Sequence, residues 1–132
     1  MESRIISIPR IVDNRGGLAF AEGQTTVPFE IQRVFWIYDI PQKAVRGGHA
    51  HWQCSEVVVA VHGGFTMLLD DGFGREEVRL DSPDKGIVVP AGVWCELKDF
   101  AADTVLLVMA SHHYDATGYV HDYEEYLKAK RS

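Results

Sequence analysis

Eight short apolar, β-branched runs, cut at close intervals by turn residues, constrain this chain more than any other feature. They occupy residues 4–11, 31–38, 56–60, 65–69, 76–80, 86–89, 93–97 and 104–110. Between them stand Asn14-Arg15-Gly16-Gly17, His62-Gly63-Gly64, Asp70-Asp71-Gly72, Asp81-Ser82-Pro83-Asp84 and Pro90-Ala91-Gly92, all of them turn formers. Runs of this length suit strands. Strands joined by tight turns bury their apolar faces only when a second sheet covers the first, so the expectation is an all-β sandwich or barrel. Asp70-Asp71-Gly72 reads as a hairpin turn, and its acids have no place in chemistry. Only the end of the chain reads differently. Tyr119, Tyr123, Tyr126 and Leu127 recur at helical spacing, with acids early and Lys128, Lys130 and Arg131 late, as a helix dipole prefers. This predicts one C-terminal helix, with its aromatic stripe as a docking face on the barrel.

The chain has 132 residues, enough for one hydrophobic core and too few for two ordinary domains, and no repeat or linker divides it. One domain over residues 1–132 is expected. A net charge of −6 speaks against a nucleic-acid backbone as partner, since such binding needs clustered Lys and Arg. No apolar run approaches the roughly 20 residues that span a bilayer. The opening residues lack the pattern of a secretory signal, so no membrane association and a cytoplasmic location are expected. Cys54 and Cys95 are then read as reduced thiols.

The residues that point to chemistry begin at Arg46-Gly47-Gly48-His49-Ala50-His51. In a strand, side chains two apart share a face, so His49 and His51 point the same way. Two imidazoles beside a glycine pair are a poor choice for packing a core. Histidine is the side chain whose ordinary pKa, about 6.5, suits the giving and taking of protons near neutrality. A second arrangement is open from the same residues: His49, His51, Glu56 and Cys95 offer four ligands of the kind that zinc or iron accepts.

Four residues separate His51 from Glu56, and six separate Glu56 from Gly63. This spacing resembles the first cupin motif, HxH, four residues, Glu, six residues, Gly. Pro90-Ala91-Gly92-Val93-Trp94-Cys95 resembles part of the second motif, with Cys95 where cupins usually carry a metal-binding His. Within the cupins the chain is similar, over nearly its full length, to the sugar 3,4-ketoisomerases that act on dTDP-4-keto-6-deoxyglucose. The stretches that carry this likeness are Arg33-Val34-Phe35-Trp36-Ile37-Tyr38-Asp39, the Arg46–His51 segment, Leu68-Leu69-Asp70-Asp71-Gly72 and Ala110-Ser111-His112-His113-Tyr114-Asp115.

The resemblance implies a cupin jelly-roll barrel with a C-terminal helix, isomerisation without a metal or other cofactor, and a dTDP-linked 4-keto-6-deoxy sugar as substrate. It also implies an active site lined by His49 and His51. Moving a ketone from C4 to C3 takes a proton from C3 and returns one to C4, and the expected division makes His49 the base and His51 its partner. The reverse order stays open. A pyrophosphate calls for fixed cations, and guanidinium matches phosphate oxygens at two points. Arg46 is the first candidate, followed by Arg15 and Arg33; Arg33 either faces the pocket or pairs across the sheet. Phe35, Trp36, Tyr38 and Trp94 alternate between strand faces, so some are core. Tyr38 and Trp94 are the candidates for contact with thymine or sugar. The rival readings are a metal-dependent cupin enzyme and a non-catalytic nucleotide-sugar-binding cupin. Relatives in the family pair by strand exchange, which implies a homodimer in which residues before about position 12 complete the neighbour's sheet.

Overall fold

The computed structural model describes residues 4–132. Twelve strands follow in order: β1 (Ile5–Ser7), β2 (Arg10–Asp13), β3 (Gly16–Ala19), β4 (Arg33–Ile37), β5 (Arg46–His51), β6 (Glu56–His62), β7 (Phe65–Asp70), β8 (Arg75–Leu80), β9 (Lys85–Val89), β10 (Trp94–Lys98), β11 (Val105–Ala110) and β12 (Tyr119–Val120). Among the described residues a single α-helix, α1 (Tyr123–Arg131), follows the strands. The architecture is the expected all-β barrel with a C-terminal helix.

Two five-stranded sheets make the barrel, one in the order β1-β9-β6-β11-β4 and the other β12-β5-β10-β7-β8, while β2 and β3 form a separate hairpin. The strand pairings within the sheets and the hairpin are antiparallel. Period-two alternation sets the core. Val58 and Ala60, Met67 and Leu69, Ile87 and Val89, Cys95 and Leu97, Leu106 and Val108 all point inward and form one cluster between the sheets. Strand β6 is apolar on both faces because its other side is covered too. Val57 and Val59 pack with Val88 and Met109 against Ile8, Val27, Phe29 and Ile31, and that double burial explains its unbroken Val-Val-Val-Ala run.

The outer face of the second sheet receives α1. Ala50, Trp94, Val120 and Tyr126 form a third cluster there. The Tyr126 hydroxyl donates toward the carbonyls of Gly92 (2.7 Å) and Asp70 (2.9 Å) and accepts from the Trp94 amide at 3.3 Å. The helix starts later than its aromatic spacing suggests. The Asp122 side chain caps it by accepting from the Glu125 amide at 3.1 Å, so Tyr119 and Val120 remain extended and pair with His51 and Ala50. Tyr123 and Tyr126 belong to the docking face; Tyr119 does not.

The N-terminal run divides in two around Ile8 and Pro9. Strand β1 pairs with β9 of its own chain, Ile5 opposite Ile87, which corrects the expectation that everything before position 12 is free to cross to a neighbour. Met1–Ser3, part of that same expectation, lie outside the described residues. The element left without a partner sheet is the β2–β3 hairpin, whose residues are exposed throughout. Among the described residues no helix is long and apolar enough to cross a membrane.

Candidate active site

The histidine strand is aimed by a bulge. Opposite β10, Cys95 pairs with His49 but Glu96 pairs with Gly47, so Gly48 is the extra residue. Gly47 and Gly48 both hold positive φ, 77° and 68°, and a Cβ on Gly47 would stand 2.9 Å from the Cys95 carbonyl oxygen. Only glycine meets both conditions. Beyond the bulge, alternation resumes. Ala50 packs beneath α1, while His49 and His51 turn the other way into the barrel. The Gly92 amide donates to the His51 carbonyl at 2.6 Å, fixing the end of the strand to the Pro90-Ala91-Gly92 turn.

Four rings meet at this point. His49 and His51 stand edge to face with centroids 4.9 Å apart, and Tyr119 lies 4.1 Å from His51 and 5.2 Å from His49. His121 is 5.8 Å from His49. The sequence reading missed Tyr119 and His121 as site residues because it placed both in the helix. The signal that would have found them is Asp122 followed by Glu125, the spacing of an N-cap.

Two cavities flank the rings. A mouth of about 390 Å³ is lined by Arg33, His51, Cys54, Tyr119 and the His112–Asp115 loop. A smaller one of about 100 Å³ runs into the barrel past Arg46, His49, Glu56 and Cys95. The mouth is within the range of small-molecule sites.

Burial decides the charge states. His51 is 5% exposed, and burial first, then His49, Arg33 and His121, press its pKa down to about 4. His49 is also lowered, by burial and then by His121. Both imidazoles are therefore neutral near pH 7. Glu56 is pushed up to about 7 by burial, with Arg33 opposing. Burial raises the Cys95 thiol, and Glu56 and Glu96 add to the effect, so its sulfur stays protonated.

The predicted residues divide clearly. Arg33 and Arg46 reach the cavities. Arg33 does both: it lines the mouth, and its guanidinium pairs across β11 with Glu56 at 3.9 Å while lying over the rings of Phe35 and Tyr114. Arg15 does not reach either cavity of its own chain; it sits at the hairpin tip with its side chain 86% exposed, bound to Asp13 at 2.7 Å. Tyr38, 61% exposed, follows the edge strand β4 and lines neither cavity. Trp94 is 3% exposed and belongs to the helix-facing cluster, because its place in β10 turns it outward while Cys95 turns inward. The four-ligand metal set also fails to assemble as expected. Among the described residues the groups that converge are His51, Cys54 and Glu56, without His49 or Cys95.

The FdtA family model, described as WxcM-like, C-terminal, matches residues 1–131. A TDP-4-oxo-6-deoxy-alpha-D-glucose-3,4-oxoisomerase of Aneurinibacillus thermoaerophilus is 40% identical over 128 residues, 97% of this chain and 92% of that relative. A 3,4-ketoisomerase from Helicobacter canadensis superposes with a TM-score of 0.95 at 32% identity, covering 100% of this chain and 99% of that one. A mutant of the 3,4-ketoisomerase QdtA from Thermoanaerobacterium thermosaccharolyticum, in complex with TDP-4-keto-6-deoxyglucose, superposes at 0.94 with 30% identity, covering 98% and 94%. With a full-length family match, relatives above 30% identity and the same barrel, this chain belongs to the FdtA, WxcM-like family.

Proposed function

We propose that this chain is a sugar 3,4-ketoisomerase acting on a TDP-linked 4-keto-6-deoxyhexose in deoxysugar biosynthesis, with His49 and His51 moving the protons. The observation that carries this reading is the neutral, edge-to-face histidine pair pointing into the barrel beneath the mouth cavity.

His49, neutral and beside the inner cavity, takes the proton from C3. The C–H electron pair becomes the C3–C4 double bond while the C4 carbonyl oxygen gains a proton, giving an enediol. The C3 hydroxyl then gives up its proton as the C3 carbonyl forms, and C4 receives a proton on carbon. No electrons leave the substrate, so the balance needs no oxidant. His51 is the weaker base of the two, since its pKa is about 4. It serves as a neutral hydrogen-bond partner to the sugar oxygens, and Tyr119 packs on its ring to hold it in place. Arg33 and Arg46 are the cations at the cavities, and the pyrophosphate is their natural ligand.

The assembly belongs to the same reading. The β2–β3 hairpin exposes Ile11, Val12 and Leu18, while the edge strand β4 and its extension expose Val34, Trp36 and Tyr38. A second copy is the occupant that matches both surfaces: one protomer's hairpin adds to its partner's open sheet edge, giving a strand-exchanged homodimer. Arg15 then serves the partner's pocket, as it lines neither cavity of its own chain.

Incubation with TDP-4-keto-6-deoxyglucose in deuterated water, followed by NMR of the sugar, tests the chemistry. The 3-keto isomer should form with deuterium incorporated at C4, and His49→Asn should turn over roughly 10²–10⁴-fold more slowly. Near-normal turnover in both His49→Asn and His51→Asn would remove the pair from the mechanism.

A further inference from the structure

Cys54 has no task in the proton transfers, yet it sits against two groups of the site. His51 ends β5, Glu56 opens β6, and the short turn between them folds Cys54 back onto both. One ring nitrogen, one thiol sulfur and one carboxylate oxygen from these residues all lie within 4.8 Å of one another. His51 Nε2 and Glu56 Oε2 are 3.7 Å apart, too far to be hydrogen-bonded, and His51 Nε2 is buried with no partner at all. The Cys54 thiol has only a long contact, 3.5 Å, to the Ser55 carbonyl. A buried ring nitrogen without a partner thus stands beside a sulfur and a carboxylate oxygen.

We propose that His51 Nε2, Cys54 Sγ and the Glu56 carboxylate form a binding site for a thiophilic divalent cation of the zinc type, and that the bound ion inhibits the isomerase. Bonds of about 2.0–2.3 Å put tetrahedral ligand atoms roughly 3.3–3.8 Å apart, so the His51–Glu56 separation already fits and the thiol needs only a small side-chain adjustment. Sulfur, imidazole and carboxylate together select zinc over magnesium or calcium. Three protein ligands leave a fourth position open, and here it faces the mouth cavity lined by His51 and Cys54. Binding turns the thiol into a thiolate and releases its proton to solvent. It also consumes the His51 lone pair, so the sugar loses that partner and meets a cation in its place. Arg33, 3.9 Å from Glu56, repels the ion and keeps its binding reversible. The site is distinct from the set of His49, His51, Glu56 and Cys95 considered from sequence, because the sulfur comes from the β5–β6 turn and His49 takes no part.

The test uses full-length protein stripped with a chelator and titrated with cobalt(II), which reports a thiolate ligand by a charge-transfer band in the near ultraviolet. The band should appear, saturate at one ion per chain, be displaced by zinc, and vanish in Cys54→Ala while persisting in Cys95→Ala. Zinc should inhibit turnover reversibly, with EDTA restoring it. Cys54→Ala should need at least roughly tenfold more zinc for half inhibition. Circular dichroism checks the fold of each variant, and Cys54→Ser, which also lacks the thiolate, replaces Cys54→Ala if that variant does not fold. A folded wild type without the band, a band that survives loss of Cys54, or equal zinc inhibition with and without Cys54 would each overturn the site.

Discussion

Replacing Tyr126 with phenylalanine removes a single oxygen from the seam between α1 and the barrel. That oxygen accepts from the Trp94 amide and shares its own proton between the Gly92 and Asp70 carbonyls, and the residue is 0% exposed. Two net hydrogen bonds at about 1 kcal/mol each are lost, and a buried amide left unpaired adds about 1–3 kcal/mol. The expected loss is about 3–5 kcal/mol, a drop of roughly 10–20 °C in Tm for a chain of this size. Urea denaturation at fixed protein concentration measures it, and the m value should not change, because the same surface is exposed on unfolding. The ring stays in place, so turnover at 25 °C should remain close to wild type. Tyr126→Ala also empties the ring's volume, costing about 3–5 kcal/mol, and loosens the support of β12. Its turnover should fall as Tyr119 loses its position against His51. A Tyr126→Phe loss under about 0.5 kcal/mol would refute the account of the hydroxyl as the tie between helix and barrel.

Arg46→Ala should raise KM for the nucleotide sugar more than it lowers kcat, since a cation holding phosphate acts on ground and transition states alike; an unchanged KM removes Arg46 from the phosphate site. In chelator-treated protein, activity should rise through an apparent pKa below 6.5, because His49 must be neutral and its pKa is lowered; an acid limb at or above 6.5 contradicts its assignment as base. The fold has its own acid sensitivity. With His51 near pKa 4 when folded and about 6.5 when unfolded, the unfolded chain takes the proton first, and stability falls as pH drops from 6.5 toward 4. Between pH 7 and 4.5 wild type should lose about 2–3 kcal/mol more than His51→Asn in urea denaturation, and parallel losses would exclude His51 as the source. Ile11→Asp combined with Leu18→Asp should halve the mass seen by light scattering, whereas an unchanged dimer mass would exclude the hairpin as the exchanged element.

The inner core was legible because it obeys a local rule. Alternation along single strands places Val58 and Ala60, or Leu106 and Val108, on one face whatever the neighbours are, and the same rule put His49 and His51 together. The turn residues were legible for a similar reason, whereas the bulge at Gly47 and Gly48 emerged only from the register of β5 against β10. Arg33 and Arg46 were singled out by their charge and by preceding the histidines, as was Arg15, and of the three only Arg33 and Arg46 line the cavities. Tyr119 was misread because its spacing to Tyr123 satisfies a helix as well as chance does, and the Asp122 cap outweighed that periodicity.

Sequence alone determined the all-β class, the pairing of the two imidazoles and the proton chemistry they suit, since each rests on geometry repeated every two residues or on the intrinsic pKa of a side chain, while the cupin barrel followed from the resemblance that the motifs carry. Tertiary structure decided the rest. Trp94 and Cys95 are adjacent, yet one supports α1 and the other lines the inner cavity, because the answer depends on which face of β10 meets the helix. Cys54 joined His51 and Glu56 through the path of one turn, and Tyr119 and His121 arrived from 68 or more positions beyond His51. Burial, which presses His51 down to about 4 and Glu56 up to about 7, exists only once two sheets have closed over the site. These are long-range properties: they follow from which surfaces meet, and a local pattern of residues carries no record of that.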